Sequence, residues 1–256
     1  MCNQLHYSLI STITGVQYNY KCTLYYLKPI FLMNFVRNLR EALTPQLTES
    51  RFKSDGYLTP DEFIIAGNYL KEICPSWQWV SSKDHDQFTI REYLPLDKQF
   101  LITKNAPAKP YFDNIVEQIE GEDVLIMKPT LPSMEVDNLE DATLEIDMSD
   151  TFDVMITYDK YYQTPRVWLI GYDKNGNPMT PQVMMSFISS EHAQKTATIE
   201  QHPHLRVTCV SIHPCQHASV MKLLFSNDIQ VERYMVAFLK FISTVIPTIE
   251  YDYLGV

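Results

Sequence analysis

The residues best placed to do chemistry lie in 206–224, RVTCVSIHPCQHASVMKLL. Val207, Cys209 and Ser211 alternate with Thr208, Val210 and Ile212, which is the period of a strand. His213-Pro214 breaks the run, and a helical pattern follows with Val220, Leu223 and Leu224 on one side. Cys215 therefore falls where a strand hands over to a helix, one residue past a proline. A thiol there can feel the unpaired N–H groups of a first helical turn, together with His213 and His217. Both influences would draw its pKa below about 8.5 and raise the fraction of thiolate, the form that attacks a carbonyl carbon. Spacing alone accommodates Cys215 equally well as a small buried residue.

Two metal readings compete with this. His202, His204, Cys209, Cys215 and His217 are enough soft donors for a zinc-binding interaction module, but they lack paired CxxC or HxxxH spacing, and alternate strand residues point apart. In Phe52–Phe63, Asp55, Gly56, Leu58 and Glu62 fall at the fifth, sixth, eighth and twelfth places of a calcium loop. Arg51 and Lys53 would then hold the first and third places, and cations do not ligate calcium. The same residues predict a helix start, with Thr59 as N-cap, Pro60 at the first helical position and Glu62 closing a capping box. Phe63, Ala66, Tyr69, Leu70 and Ile73 then face inward, and Cys74-Pro75 ends the helix. No metal and no cofactor is called for.

The other elements must position that cysteine. A chain of 256 residues with 45% hydrophobic content can hold one good-sized core. Its five cysteines (Cys2, Cys22, Cys74, Cys209 and Cys215) are odd in number and irregularly spaced, which points to a reducing compartment rather than a disulfide framework. The net charge of −10 is local: residues 105–150 hold twelve Asp and Glu against two Lys, and the rest of the chain carries nineteen of each sign. That balance argues against non-specific nucleic-acid binding. The apolar run Tyr18–Met33 is interrupted by Lys21, Lys28 and Pro29 and makes a poor bilayer span, so a soluble chain is expected.

In chain order, residues 1–32 match nothing that follows and form an unassigned extension, with the functional unit expected over 33–256. Residues 34–47 predict an amphipathic helix. Phe35, Val36, Leu39, Ala42 and Leu43 lie on one side, while Arg37, Arg40 and Glu41 face away, so the helix either docks on the core or dips into a membrane surface. Phe88–Leu94 and Gln99–Lys104 predict a hairpin through Pro95–Lys98. Residues 105–150 predict an acidic flexible insertion, within which Phe112 and Ile115 carry the aromatic-x-x-aliphatic spacing of a strand-adding peptide. Phe152–Tyr158 and Arg166–Tyr172 predict strands, the second central. Asn175-Gly176 predicts a turn, and Thr180-Pro181 begins a helix to about Ser189. Thr196–Glu200 is a short extended piece, and Gln230–Ile246 a helix with Tyr234, Phe238, Phe241 and Val245 on one face, stopped by Pro247. The expected class is α+β: a mostly antiparallel curved sheet of about four strands with helices packed around it.

Five stretches in order resemble the autophagy-related protein 3 family: GYLTPDEFIIAGNYLKEICPSWQW (56–79), KQFLITKN (98–105), YDKYYQTPRVWLIGYD (158–173), KTATIEQHPHL through VSIHPCQHASVMKLL (195–224) and FLKFISTVIPTIEYDY (238–253). The family consists of enzymes similar to ubiquitin-conjugating enzymes that attach a ubiquitin-like modifier to a phospholipid. The resemblance implies that Cys215 receives the C-terminal glycine of an autophagy-related protein 8 type modifier, as a thioester, from an activating enzyme of the autophagy-related protein 7 type. The amine of phosphatidylethanolamine, in a curved membrane, would then take the modifier over. It also implies that Thr196 positions or stabilises the oxyanion, that His213 supports the site, and that Phe35, Val36, Leu39 and Leu43 contact membrane. The activating enzyme would be recruited by the acidic insertion around Phe112–Met127, and the protein would be cytoplasmic and transiently at autophagic membranes. Only Phe225–Val231 separates the last two helices, where the family carries a longer insertion. The alternatives are the sister autophagy enzyme, which modifies a protein lysine, and a scaffold that kept the fold without the activity.

Overall fold

The computed structural model describes residues 36–81, 89–109, 150–189, 193, 195–225 and 230–252. The expectations for residues 1–32, for Phe35 and for Phe112 and Ile115 fall outside that set. Helix α1 is described over 36–43 and stops short of the 47 expected at its C-terminal end. It is followed by α2 (Phe52–Asp55), α3 (Pro60–Ile73), β1 (Gln78–Val80), β2 (Phe100–Pro107), β3 (Thr151–Asp159) and β4 (Thr164–Tyr172). Then come α4 (Pro181–Met185), β5 (Ala197–Gln201), β6 (Thr208–Ile212), α5 (His217–Leu224) and α6 (Tyr234–Val245). The class is α+β. The antiparallel sheet is open and has six strands, in the order β1-β2-β3-β4-β6-β5.

Strands β3 and β4 pair along their full length, from Thr151↔Tyr172 to Asp159↔Thr164. On one face Phe152, Val154, Ile156, Leu169 and Val210 join the main core under α3 and α6. On the other, Phe100, Ile102, Met155, Trp168 and Cys209 form a smaller apolar cluster. Covering both faces is why β4 reads as apolar on successive residues.

Helix α3 starts as its sequence predicts. The Thr59 hydroxyl accepts from the Glu62 N–H at 3.1 Å, and the Glu62 carboxylate accepts from the Thr59 N–H at 2.8 Å. Helix α6 has no side-chain cap and is held by packing instead. Six of its residues, Tyr234, Met235, Phe238, Leu239, Ile242 and Val245, are buried, each contributing about 2 kcal/mol.

The predicted hairpin at 88–104 does not form: among the described residues, 89–98 hold no strand, and β2 pairs instead with β1. The reason is Gln99, whose buried amide donates to the carbonyls of Leu94 (3.2 Å) and Pro95 (2.9 Å) while its oxygen accepts from the Arg91 N–H at 2.7 Å. One side chain thus satisfies a turn that a strand ladder would otherwise have to satisfy. The acidic stretch is likewise narrower than 105–150. Asn105, Ala106 and Pro107 belong to β2, with Ala106↔Phe152 and Pro107↔Thr151 in register, and the Asp150 carbonyl accepts from the Ala108 N–H at 2.9 Å.

Gly56 closes α2 in the left-handed region (φ +78°), and its carbonyl accepts from the Tyr234 hydroxyl at 2.6 Å. A Cβ at Gly56 would lie 2.0 Å from the Ala218 carbonyl oxygen and 2.8 Å from the Lys222 nitrogen, both backbone atoms of α5. Gly176 has nearly the same φ (+77°), but a Cβ there meets nothing within 4 Å. Gly176→Ala should therefore cost only the conformational term, about 1 kcal/mol. Gly56→Ala must also displace α5 and should cost roughly 3 kcal/mol or more. Urea unfolding of the two variants side by side measures the difference.

Candidate functional site

Strand β6 carries the site. It pairs with β5 over five residues, from Ala197↔Ile212 to Gln201↔Thr208, but with β4 only at Trp168↔Ser211 and Leu169↔Val210. At its end the His213 N–H donates to the Thr196 carbonyl at 2.7 Å, which sets Thr196 opposite the residue two before the cysteine. A 3-10 turn, Pro214–Gln216, then lifts Cys215 off the sheet. Cys215 is exposed, whereas Cys74 and Cys209 are buried, and burial pushes the Cys209 thiol up to about 12. Of these three cysteines, only Cys215 presents its sulfur to solution.

His213 caps the turn: its Nδ1 accepts from the Cys215 N–H at 3.3 Å. With Nδ1 engaged as acceptor, the neutral ring carries its proton on Nε2, which faces the Tyr162 hydroxyl at 3.4 Å. Tyr162 is placed by Asp159, whose carboxylate accepts from the Tyr161 and Tyr162 N–H groups, both at 3.1 Å. Burial, then Asp159, push the Tyr162 phenol above its ordinary value.

The histidines do not supply the positive charge expected of them. Burial, and then Arg166, hold His213 below the ordinary histidine value. His217 is buried, and burial lowers it from 6.5 to about 4. Its Nδ1–H donates to the Pro165 carbonyl at 2.9 Å, and its ring packs edge-on to Phe238 at 5.2 Å. His217 thereby fastens the start of α5 to β4 and α6. This also corrects the predicted face of α5. His217, Met221 and Phe225, spaced by four, are buried, while Leu223 (76% exposed) and Leu224 face outward. Counting histidine as polar hid the buried stripe.

A buried charge cluster lies beside the turn. The Arg166 guanidinium crosses β6 from β4, donating to Ser211 Oγ at 2.7 Å and reaching Glu200 Oε1 on β5 at 2.5 Å. It stacks on Trp168 at 4.5 Å. Thr198 also donates to Glu200, at 2.8 Å, and Arg37 of α1 approaches the other Glu200 oxygen at 3.4 Å while donating to the Gln201 carbonyl at 2.8 Å. Burial pushes Glu200 up, but Arg166, Thr198 and Arg37 outweigh it and hold the carboxyl below its ordinary range.

Arg37, Arg40 and Glu41 thus lie on the side of α1 that contacts the domain. Arg40 lies over Tyr161 at 5.2 Å, and Glu41 pairs with Arg91 at 2.6 Å and accepts from the Tyr93 hydroxyl at 2.7 Å. Leu39 and Leu43 are left facing outward, Leu43 at 75% exposure, while the partly exposed Val36 borders the cleft. Between α1 and the β3–β4 turn opens a cleft of about 480 Å³, lined among others by Arg40, Lys160, Tyr162, Trp168 and His213.

The structure brings Thr196, His213 and Cys215 to one end of the sheet and sets α1 beside them. Sequence reading missed Arg166, Glu200 and the anchoring role of His217. A cation opening an apolar run and an acid inside a short strand were the available signals. The zinc alternative disperses: His202 packs edge-on to Phe100 and His204 stacks on it, His217 is bonded to Pro165, and no group of three or more His, Cys, Asp or Glu among the described residues could hold a metal ion. Nor, among those residues, is any helix long and apolar enough to cross a membrane.

The chain is an open antiparallel sheet that ends in a turn bearing an accessible cysteine, and residues 62–253 match the family model described as autophagocytosis associated protein, active-site domain. Autophagy-related protein 3 of Arabidopsis thaliana is 37% identical over 83% of this chain and 92% of its own length. Those of Dictyostelium discoideum (32%, covering 83% and 93%) and Saccharomyces cerevisiae (29%, covering 84% and 96%) are similar over the same extent. The chain belongs to the autophagy-related protein 3 family, the E2-like conjugating enzymes of autophagy.

His217 makes stability depend on pH. Its folded value, about 4, lies below its unfolded value of 6.5, so between these limits the unfolded chain binds more protons and stability falls as pH falls. Between pH 7 and pH 5 the loss from this one group should be about 2 kcal/mol. Denaturant unfolding at the two pH values measures it, and His217→Gln should remove most of the difference.

Proposed function

We propose that Cys215 accepts the C-terminal glycine of an autophagy-related protein 8 type modifier from an autophagy-related protein 7 type activating enzyme, as a thioester, and passes it to the amine of phosphatidylethanolamine. The observation that carries this reading is the exposed Cys215 thiol, raised on a turn whose backbone is fixed by His213 and by the Thr196 carbonyl. In the first step the thiolate attacks the activated carboxyl carbon and expels its leaving group. In the second the lipid amine attacks the thioester carbonyl, and the tetrahedral intermediate collapses to an amide with loss of the Cys215 thiolate, which then takes up a proton. Thr196, whose carbonyl accepts from the His213 N–H, would steady the developing oxyanion. His213 is a positioning residue, because its Nδ1 is occupied by the Cys215 amide and its ring is neutral.

Helix α1 suits a membrane surface because its charged side is already docked and its apolar side is not. Val36, Leu39 and Leu43, with Phe35 preceding them, would enter the headgroup boundary while Arg37 stays on Glu200. A few apolar side chains give reversible attachment, as expected of a cytoplasmic protein transiently at autophagic membranes. The functional unit is then 33–256, and Phe112 and Ile115 in the acidic segment would serve the activating enzyme.

With modifier, activating enzyme, nucleotide and liposomes, the wild type should give a reductant-labile adduct on Cys215 and a lipid conjugate. Cys215→Ser should accumulate a reductant-resistant oxyester and make no conjugate. A modifier joined to a protein lysine instead would overturn the lipid reading. Each leucine contributes about 2 kcal/mol on burial, so the double change Leu39→Asp, Leu43→Asp should lower vesicle conjugation at least about tenfold, per unit of thioester formed.

A further inference from the structure

The charges lining the cleft do not cancel. Its three acids are all engaged: Glu200 by Arg166 and Arg37, Asp159 by Arg166 at 3.6 Å, and Glu41 by Arg91. Two cations remain without an ion pair among the described residues. Arg40, on α1, rests on the Tyr161 ring, and Lys160, on the β3–β4 turn, rests on the Tyr93 ring at 5.6 Å. Arg40 lies close enough to His213 and Tyr162 for its charge to act on both rings. A cavity lined by two uncompensated cations is built for an anion.

The position of the cleft restricts which anion. One wall is α1, whose outer side is apolar, and another is His213, two residues before the cysteine. We propose that Arg40 and Lys160 bind the phosphodiester of the acceptor lipid headgroup and so hold its amine, two carbons further on, beside Cys215. The subsite rests on the transfer reaction proposed above and extends it, because it explains how a thioester that any amine could cleave is directed to one class of amine. A lysine side chain brings no phosphate, so the same two cations would select a phospholipid over a protein acceptor. Their contribution is proximity: the anion is gripped and the nucleophile arrives already oriented.

The test uses water-soluble acceptors, which removes membrane attachment from the measurement. Preformed thioester on the full chain is mixed with glycerophosphoethanolamine, with ethanolamine, or with ethanolamine plus an equal concentration of inorganic phosphate, and discharge is followed per unit of thioester. The wild type should discharge about tenfold faster to glycerophosphoethanolamine than to either ethanolamine mixture. Lys160→Gln and Arg40→Gln should each bring that ratio down severalfold, and Arg40→Lys should retain most of it. Lys160 lies outside α1, so loss of the ratio in Lys160→Gln is not a consequence of undocking that helix. Equal ratios in the wild type and the glutamine variants would overturn the subsite while leaving the transfer reaction standing. So would a rate with free phosphate matching that of the phosphodiester. Failure of the wild type to form any thioester would overturn the transfer reaction and the subsite with it.

Discussion

The ion pair between Arg166 and Glu200 holds together the part of the sheet on which everything else is mounted. Strand β6, which carries the cysteine turn, meets β4 in only two registered pairs, so the backbone ladder is thin where position matters most. The Arg166 side chain spans that joint, bonding Ser211 on β6 and Glu200 on β5. Charges taken out of water to this extent are tolerated only when their remaining donors and acceptors are satisfied, and Thr198, Asp159 and Trp168 complete that requirement. Removing one partner would strand the other at a cost of about 3–5 kcal/mol. The pair sets geometry more than it adds stability.

The same carboxylate explains the inverted docking of α1. Ordinarily an amphipathic helix buries its apolar stripe and shows its charges to water. Here the second oxygen of Glu200 offers a buried acceptor to Arg37, Trp168 offers it a ring face at 5.6 Å, and Arg91 and Tyr93 bind Glu41. Polar contacts take the helix's charged side, and its apolar side is left unpartnered by the domain. A helix held this way can approach a hydrocarbon boundary without giving up its grip on the sheet, so the cleft beside Cys215 and the outward leucines stay in fixed relation.

The sequence made much of this legible, for identifiable reasons. The capping box at Thr59 and Glu62, strands β3 and β4 and the strand-to-turn change at His213-Pro214 are local events, each decided by residues within a few positions. Where the reading failed, the deciding partner was distant or was scored by type. The turn held by Gln99 depends on an amide reaching back to Arg91, Leu94 and Pro95, and no periodicity signals that. The inner face of α5 was misassigned because His217 is buried as a neutral ring. Which side of α1 docks was left open because Glu200 lies 163 residues from Arg37. Cys215, His213 and Thr196 could be named because they fall in one contiguous motif or in the extended piece beside it. The charge cluster behind them could not be.

Neutral histidines at the turn are part of how it works. The Cys215 amide donates to His213 Nδ1, a bond that exists only while that nitrogen keeps its lone pair. Protonation would convert the acceptor to a donor and set two N–H groups against each other in the segment that presents the thiol. Burial first, then Arg166 and further off Arg40, disfavour that protonation, while Glu200 and Asp159 act against them. Burial does most to keep the His213 ring neutral, and Arg166 and Arg40 add to it, so these cations act on the site through the histidine as well as through any anion they attract. An arrangement in which His213 served as a charged activator of the cysteine would need fewer arginines nearby, and this fold has instead built the site with an excess of them.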